Sequence, residues 1–219
     1  MKKKNRKTLA LGVSLLLAFV LWTLLVCFVD VQTIGPQESS VGLATLNGYV
    51  HDLIGVNWLL YTVTDWLGLV PIAVVLGFAG VGLMQMIRRK GLWRVDCGIL
   101  ALGVFYIVVI AVYLFFETVV INYRPTLIDG HLEASYPSST TMLVTCVMPT
   151  AALELKGYMK HPLLGRCTGI AIAVFTAFML IGRLLSGVHW ITDIIGGVLF
   201  SAGIVLIYSF VRSTTIRQC

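Results

Sequence analysis

Gly182-Arg183-Leu184-Leu185-Ser186-Gly187-Val188-His189-Trp190-Ile191-Thr192-Asp193 sets an Arg, a His and an Asp at the spacing R-x-x-x-x-x-H-x-x-x-D, between two apolar runs at about 167–185 and 190–211. Each run has the roughly twenty residues that a helix needs to cross a hydrocarbon slab. An ionisable cluster at the border of such a slab is costly to hold, so it reads as a functional site. The bland alternative is a His at the start of the last helix with Asp193 in its first turn, where a carboxylate suits the helix dipole.

Working outward, the same run length recurs at about 9–29, 66–87, 97–120 and 138–155. The chain is 58% hydrophobic and only 12% charged, far below the roughly 25% charged residues of a soluble domain. These features predict an all-α bundle of six transmembrane helices, with residues 1–219 forming one integral-membrane domain and both termini on one side. The basic flank at 1–7 precedes an apolar run with no small-residue cleavage site after it, so the run reads as an uncleaved span rather than a signal peptide. Residues 30–65 are more polar and include the turn signal Gly35-Pro36. Within them Leu43, Leu46, Val50, Leu53 and Ile54 recur at helical spacing, which fits either a short interfacial helix or a loop with apolar anchors. His51 and Asp52 in this segment read as solvated. Gly77, Gly80, Gly82, Gly196, Gly197 and Gly203 are expected to let neighbouring helices approach closely.

The net charge of +6 does not point to nucleic acid, because the basic residues flank apolar runs. With six spans, one side receives Lys2, Lys3, Lys4, Arg6, Lys7, Arg88, Arg89, Lys90, Arg94, Lys156, Lys160, Arg166, Arg212 and Arg217; of the 16 Lys and Arg only Arg124 and Arg183 fall on the other. By the positive-inside rule the first side is the cytoplasm, so the ionisable cluster is expected at the extracytoplasmic face. The five cysteines, Cys27, Cys97, Cys146, Cys167 and Cys219, have no metal-like spacing and read as small packing residues. One His and one Asp in the cluster fall short of a metal-ligand set.

Two upstream pieces accompany the cluster: Asn122-Tyr123-Arg124-Pro125 and Tyr136-Pro137-Ser138-Ser139-Thr140-Thr141. Arg forks match phosphate oxygens bidentately, and a Pro followed by hydroxyl residues is a good helix start, where free backbone N–H groups hold an anion. Together the three pieces resemble the signature of the type 2 phosphatidic acid phosphatase family, K-x-x-x-x-x-x-R-P, P-S-G-H and S-R-x-x-x-x-x-H-x-x-x-D, over about 117–197. The resemblance implies a membrane-embedded lipid phosphatase that hydrolyses a phosphate ester or diphosphate of a lipid, such as a polyprenyl diphosphate, through a phosphohistidine, with no metal or other cofactor. Carried over by position, His189 is the nucleophile and Asp193 its orienter. Arg124 and Arg183 clamp the phosphate, and Ser138, Ser139 and Thr140 help to bind it.

Three positions depart from the signature. Glu117 stands at the Lys position, Thr140 at the second His with Ser139 for Gly, and Gly182 at the usual Ser. The resemblance assigns that second His to protonating the leaving oxygen, which a Thr hydroxyl does not do near neutral pH. Three explanations stay open: a proton from His131, Asp129 or Glu133 in the same outer loop; a diphosphate substrate whose leaving group needs none; or a protein that binds or transports a phosphorylated lipid without turnover.

Overall fold

The computed structural model describes residues 2–159 and 161–215; Lys160, Arg217 and Cys219 lie outside the described residues, as do the side chains of Lys2, Lys3 and Lys4. Among the described residues eight α-helices follow one another: α1 (Lys2–Phe28), α2 (Ala44–Ile54), α3 (Trp58–Leu67), α4 (Leu69–Arg89), α5 (Cys97–Thr118), α6 (Ser139–Tyr158), α7 (Pro162–Leu185) and α8 (Ile191–Thr215). Among the described residues there is no strand, only isolated bridges.

Among the described residues five stretches are long and apolar enough to cross a membrane: Asn5–Phe28, Trp58–Arg89, Cys97–Thr118, Pro162–Leu185 and Ile191–Thr214. The stretch expected at 138–155 forms α6, which is not among them. Its Thr141, Thr145, Thr150, Glu154 and Lys156 dilute its apolarity. The reason is its position: α6 packs against α4, α5, α7 and α8, and Thr141, Thr150 and Glu154 are buried there. A helix enclosed by other helices meets protein rather than lipid, so Thr150 and Glu154 find partners there.

The run expected to begin at 66 begins earlier. Asn57 caps α3 by accepting the Leu60 N–H at 3.0 Å, and α3 continues through Gly68, in helical geometry, into α4. Asp65 therefore lies within a helix, not in the preceding loop. Of the two readings left open for residues 30–65, a helix or a loop with apolar anchors, the structure has a helix, α2; its Asn47 is fully buried, while Leu46 and Leu53 are exposed.

Helices α1 and α8 run antiparallel along their length. Asn5 Nδ2 donates to Ser213 Oγ at 3.0 Å at one end, and Trp22 Nε1 donates to the Thr192 carbonyl at 3.0 Å at the other. Between them Gly203 permits the approach, since a Cβ there would lie 2.8 Å from Leu16 Cδ2. Gly82, Gly196 and Gly197 are similarly crowded, whereas Gly77 and Gly80 face open space, contrary to the expectation for them. The aromatic core joins Phe19, Phe105, Tyr106, Phe116, Tyr136, Phe200 and Tyr208. Cys97 is disulfide-bonded rather than a packing residue; Cys27, Cys146 and Cys167 are free thiols.

Candidate active site

The alternation of helices brings the loops at 29–57, 119–138 and 186–190 to one end of the bundle. The turn after α7 is forced by Gly187, whose φ is +66° and whose Cβ, if present, would lie 1.9 Å from the Gly55 carbonyl oxygen. Asn57 N–H donates to the Ser186 carbonyl at 3.0 Å and ties the start of α3 to the same turn. His189 and Trp190 follow it, and α8 then begins with Asp193 in its first turn.

Residues 122–135 fold back on themselves, which the sequence reading missed. Antiparallel bridges pair Tyr123 with Ala134 and Ile128 with His131, and the turn between them uses Asp129 and Gly130 at positive φ. The register sets Arg124 against Glu133, with the Arg124 N–H on the Glu133 carbonyl at 3.0 Å, and Ser135 against Asn122, with the Ser135 N–H on its carbonyl at 2.9 Å. Trp190 Nε1 anchors this fold-back by donating to the Tyr123 carbonyl at 2.7 Å.

Ser135 is the residue that this geometry adds. Its hydroxyl lies 3.0 Å from His189 Nδ1 and donates to Asp193 Oδ2 at 2.5 Å, whereas His189 Nδ1 and Asp193 Oδ2 are 3.9 Å apart. The expected direct contact between imidazole and carboxylate is thus a relay through a hydroxyl. The Trp190 backbone N–H also donates to Asp193 Oδ2, at 3.0 Å, so that oxygen is an acceptor twice over. Since the Ser135 proton goes to Asp193, Ser135 Oγ is left to accept from His189 Nδ1–H. The lone pair of the neutral ring then sits on Nε2, which faces Arg183 Nη2 at 3.5 Å. Burial, and then the charges of Arg124 and Arg183, push the His189 pKa well below the ordinary imidazole value, against a hydrogen bond with the Ser135 backbone that raises it. Burial and the two guanidinium charges thus favour the neutral imidazole.

Arg183 is 1% exposed. Its guanidinium is held by α3: Nη1 lies 3.4 Å from Thr64 Oγ1 and 3.6 Å from Asp65 Oδ1, and the Tyr61 ring lies 5.2 Å beneath it. This contact explains Gly182, because a Cβ there would lie 2.7 Å from Thr64 Cγ2. Arg124 pairs with Glu133 at 3.1 Å, while its Nη1 is buried with no hydrogen-bond partner. Ser138 Oγ and Thr141 Oγ1 are likewise buried without partners. Ser138 N–H donates to the Asp193 carbonyl at 3.1 Å, fixing the start of α6 against α8.

The remaining candidates divide. Ser139 lines a shallow cleft with Glu117, Ser135 and Tyr136; Glu117 is exposed, and Thr140 is half-buried in the first turn of α6. His131 is exposed at the tip of the fold-back, and Glu133 is engaged with Arg124. His51, expected to be solvated, is half-buried with its ring 5.4 Å from that of Trp190. Asn47 completes the roof: its Nδ2 donates to the Gly42 carbonyl and to Thr192 Oγ1, at 2.8 and 3.0 Å. Among the described residues no three His, Cys, Asp or Glu side chains gather as a metal-ligand set.

The sequence profile of the PAP2 superfamily matches residues 99–217, the stretch that carries all three pieces of this site. The chain belongs to the PAP2 superfamily. Members of this family are phosphatases, and as a PAP2 protein the chain pairs the fold of a membrane lipid phosphatase with apolar helices able to cross a bilayer. Its architecture is similar to the crystal structure of a transmembrane PAP2-type phosphatidylglycerolphosphate phosphatase from Bacillus subtilis, at a TM-score of 0.59 and 20% identity, over 93% of this chain and 96% of that one. At that identity the likeness concerns the fold. No curated protein matches the PAP2 chain.

Proposed function

We propose that this PAP2 chain is an integral-membrane phosphatase that removes phosphate from an ester or diphosphate of a lipid through a phosphohistidine at His189. The observation that carries the reading is the setting of the imidazole: Nδ1 engaged by Ser135, Nε2 turned toward Arg183. Nε2 attacks phosphorus as the bond from phosphorus to the lipid oxygen breaks. Arg183, Arg124 and the unpartnered Ser138 hydroxyl take the phosphoryl oxygens, with Ser139 and Thr140 at the start of α6 beside them. Asp193, acting through Ser135, steadies the positive charge that grows on the ring. Water then cleaves the bond between phosphorus and nitrogen, releasing phosphate and the neutral imidazole. No metal takes part in this scheme.

In this reading one domain carries the whole activity. α6 completes six spans, both termini are cytoplasmic, and His189 opens to the extracytoplasmic side. With Thr140 in place of an acid, the favoured substrate is a diphosphate, whose leaving phosphate is a weaker base than an alkoxide. Purified protein in detergent is expected to release phosphate faster from a polyprenyl diphosphate than from a phosphatidate, and His189→Ala is expected to abolish both and to lose the trapped phosphohistidine. Faster turnover of the monoester would reject the diphosphate preference, and an active His189→Ala protein would reject the nucleophile. A second reading, a protein that binds or transports a phosphorylated lipid without cleaving it, draws on Glu117, Thr140 and the carboxylates beside both arginines. Its mark would be retained lipid binding with no phosphate release.

A further inference from the structure

At the end of the bundle opposite His189, a groove of about 660 Å³ separates the last turns of α6 from the first turns of α7. Lys156 and Arg166 stand at it, while Leu153, Ile170 and Ala173 line it with apolar surface. Gly165 and Gly169 keep the α7 wall low. Both cations are exposed, and neither makes an ion pair or hydrogen bond among the described residues. Four other arginines are paired with acids, Arg89 with Asp96, Arg212 with Glu154, Arg124 with Glu133 and Arg183 with Asp65, so none of those carboxylates is left for this groove. Glu154, the carboxylate of α6, is already committed to Arg212 and Tyr208. An apolar trough capped by two uncompensated cations therefore lies where the membrane-spanning stretch of α7 begins.

We infer that this groove holds one anionic phospholipid of the leaflet at that end, its headgroup phosphate on Lys156 and Arg166 and an acyl chain along Leu153, Ile170 and Ala173. Charge complementarity selects the occupant. A phosphatidylglycerol-type headgroup leaves its negative charge for the two cations, whereas a choline headgroup brings a positive charge of its own. Each basic residue near an anionic headgroup favours it by about fivefold, so the pair together implies a preference of at least about tenfold. The site is independent of the phosphatase reading, because it lies at the other end of α6 and α7 and uses none of those residues.

The test is native mass spectrometry of the full chain released from mixed micelles of dioleoyl phosphatidylglycerol and dioleoyl phosphatidylcholine. About tenfold or greater retention of the anionic lipid is expected, falling to parity in the Lys156→Gln/Arg166→Gln double variant and persisting in Lys156→Arg. An Arg124→Gln control, altered only at the opposite end, is expected to keep the preference. Thermal melting in plain detergent establishes that the double variant remains folded, and the lipid-induced melting shift of the wild-type chain gives a second readout. Equal retention of the two lipids overturns the proposal, as does a preference that survives in the double variant or is lost in Arg124→Gln. A melting shift produced equally by inorganic phosphate also overturns it, since that would make the ligand a free anion.

Discussion

In the proposed mechanism, Ser135 decides which nitrogen of His189 reacts. A carboxylate reached through a hydroxyl still fixes the tautomer, provided the hydroxyl proton is committed to the carboxylate, and the two donors on Asp193 Oδ2 commit it. Ser135→Ala is therefore expected to lower phosphorylation of His189 by roughly 10²-fold or more, as loss of a tautomer-setting partner does. The decisive measurement is a double-mutant cycle. Once Ser135 is Ala, Asp193→Asn should add less than about threefold; full multiplication of the two losses would mean that Asp193 acts without Ser135. Acidity offers a second check at this scale. Protonation silences the nucleophile, and because the His189 pKa is held well below the ordinary value of 6.5, activity should persist as pH falls through 6.5 and fail only below it. Arg124→Gln removes one of the charges that depress this pKa, so the acid limb of the rate profile should move to higher pH. An acid limb already centred at 6.5 in the unaltered chain would contradict the placement of His189 between the arginines.

At the scale of the element, the contact between α3 and α7 sets the position of Arg183. Thr64 fills the space above Gly182 and lies 3.4 Å from the guanidinium, so the usual Ser at position 182 would collide with the methyl of Thr64. Gly182→Ser is expected to destabilise the chain by about 1–3 kcal/mol through overpacking. Thr64→Ala should relieve most of that loss in thermal melting. Additive destabilisation by the two changes would show that the pair does not share this space. Helix α6 makes the complementary point. Its first turn belongs to the site, through Ser138 and Thr141, and its last turns hold the buried Glu154 with Tyr208 and Arg212. It has this polar freedom because four other helices shield it from lipid.

For the whole molecule, the proposed orientation makes a simple pattern. In a chain whose native cysteines are replaced by Ser, an impermeant maleimide applied to intact cells should label His131→Cys but neither Trp93→Cys nor His161→Cys. Labelling at 161 would mean that α6 does not cross the membrane, and the reverse pattern at 93 and 131 would invert the bundle. The sequence by itself determined that the chain is helical and membrane-spanning, because run length and apolarity answer directly to the thickness and dielectric of a bilayer. It also singled out Arg124, Arg183, His189 and Asp193, because charges at that border are too costly to be there by default. It did not determine that α3 starts at Trp58, since Asp65 in a polar stretch reads as loop until Arg183 is seen to partner it. Nor did it reveal Ser135, Thr64 or the pairing of Arg124 with Glu133. The contacts of Ser135 and Thr64 join residues far apart in the chain, and the Arg124–Glu133 pair depends on the fold-back at 122–135, so only the tertiary structure brings these groups together.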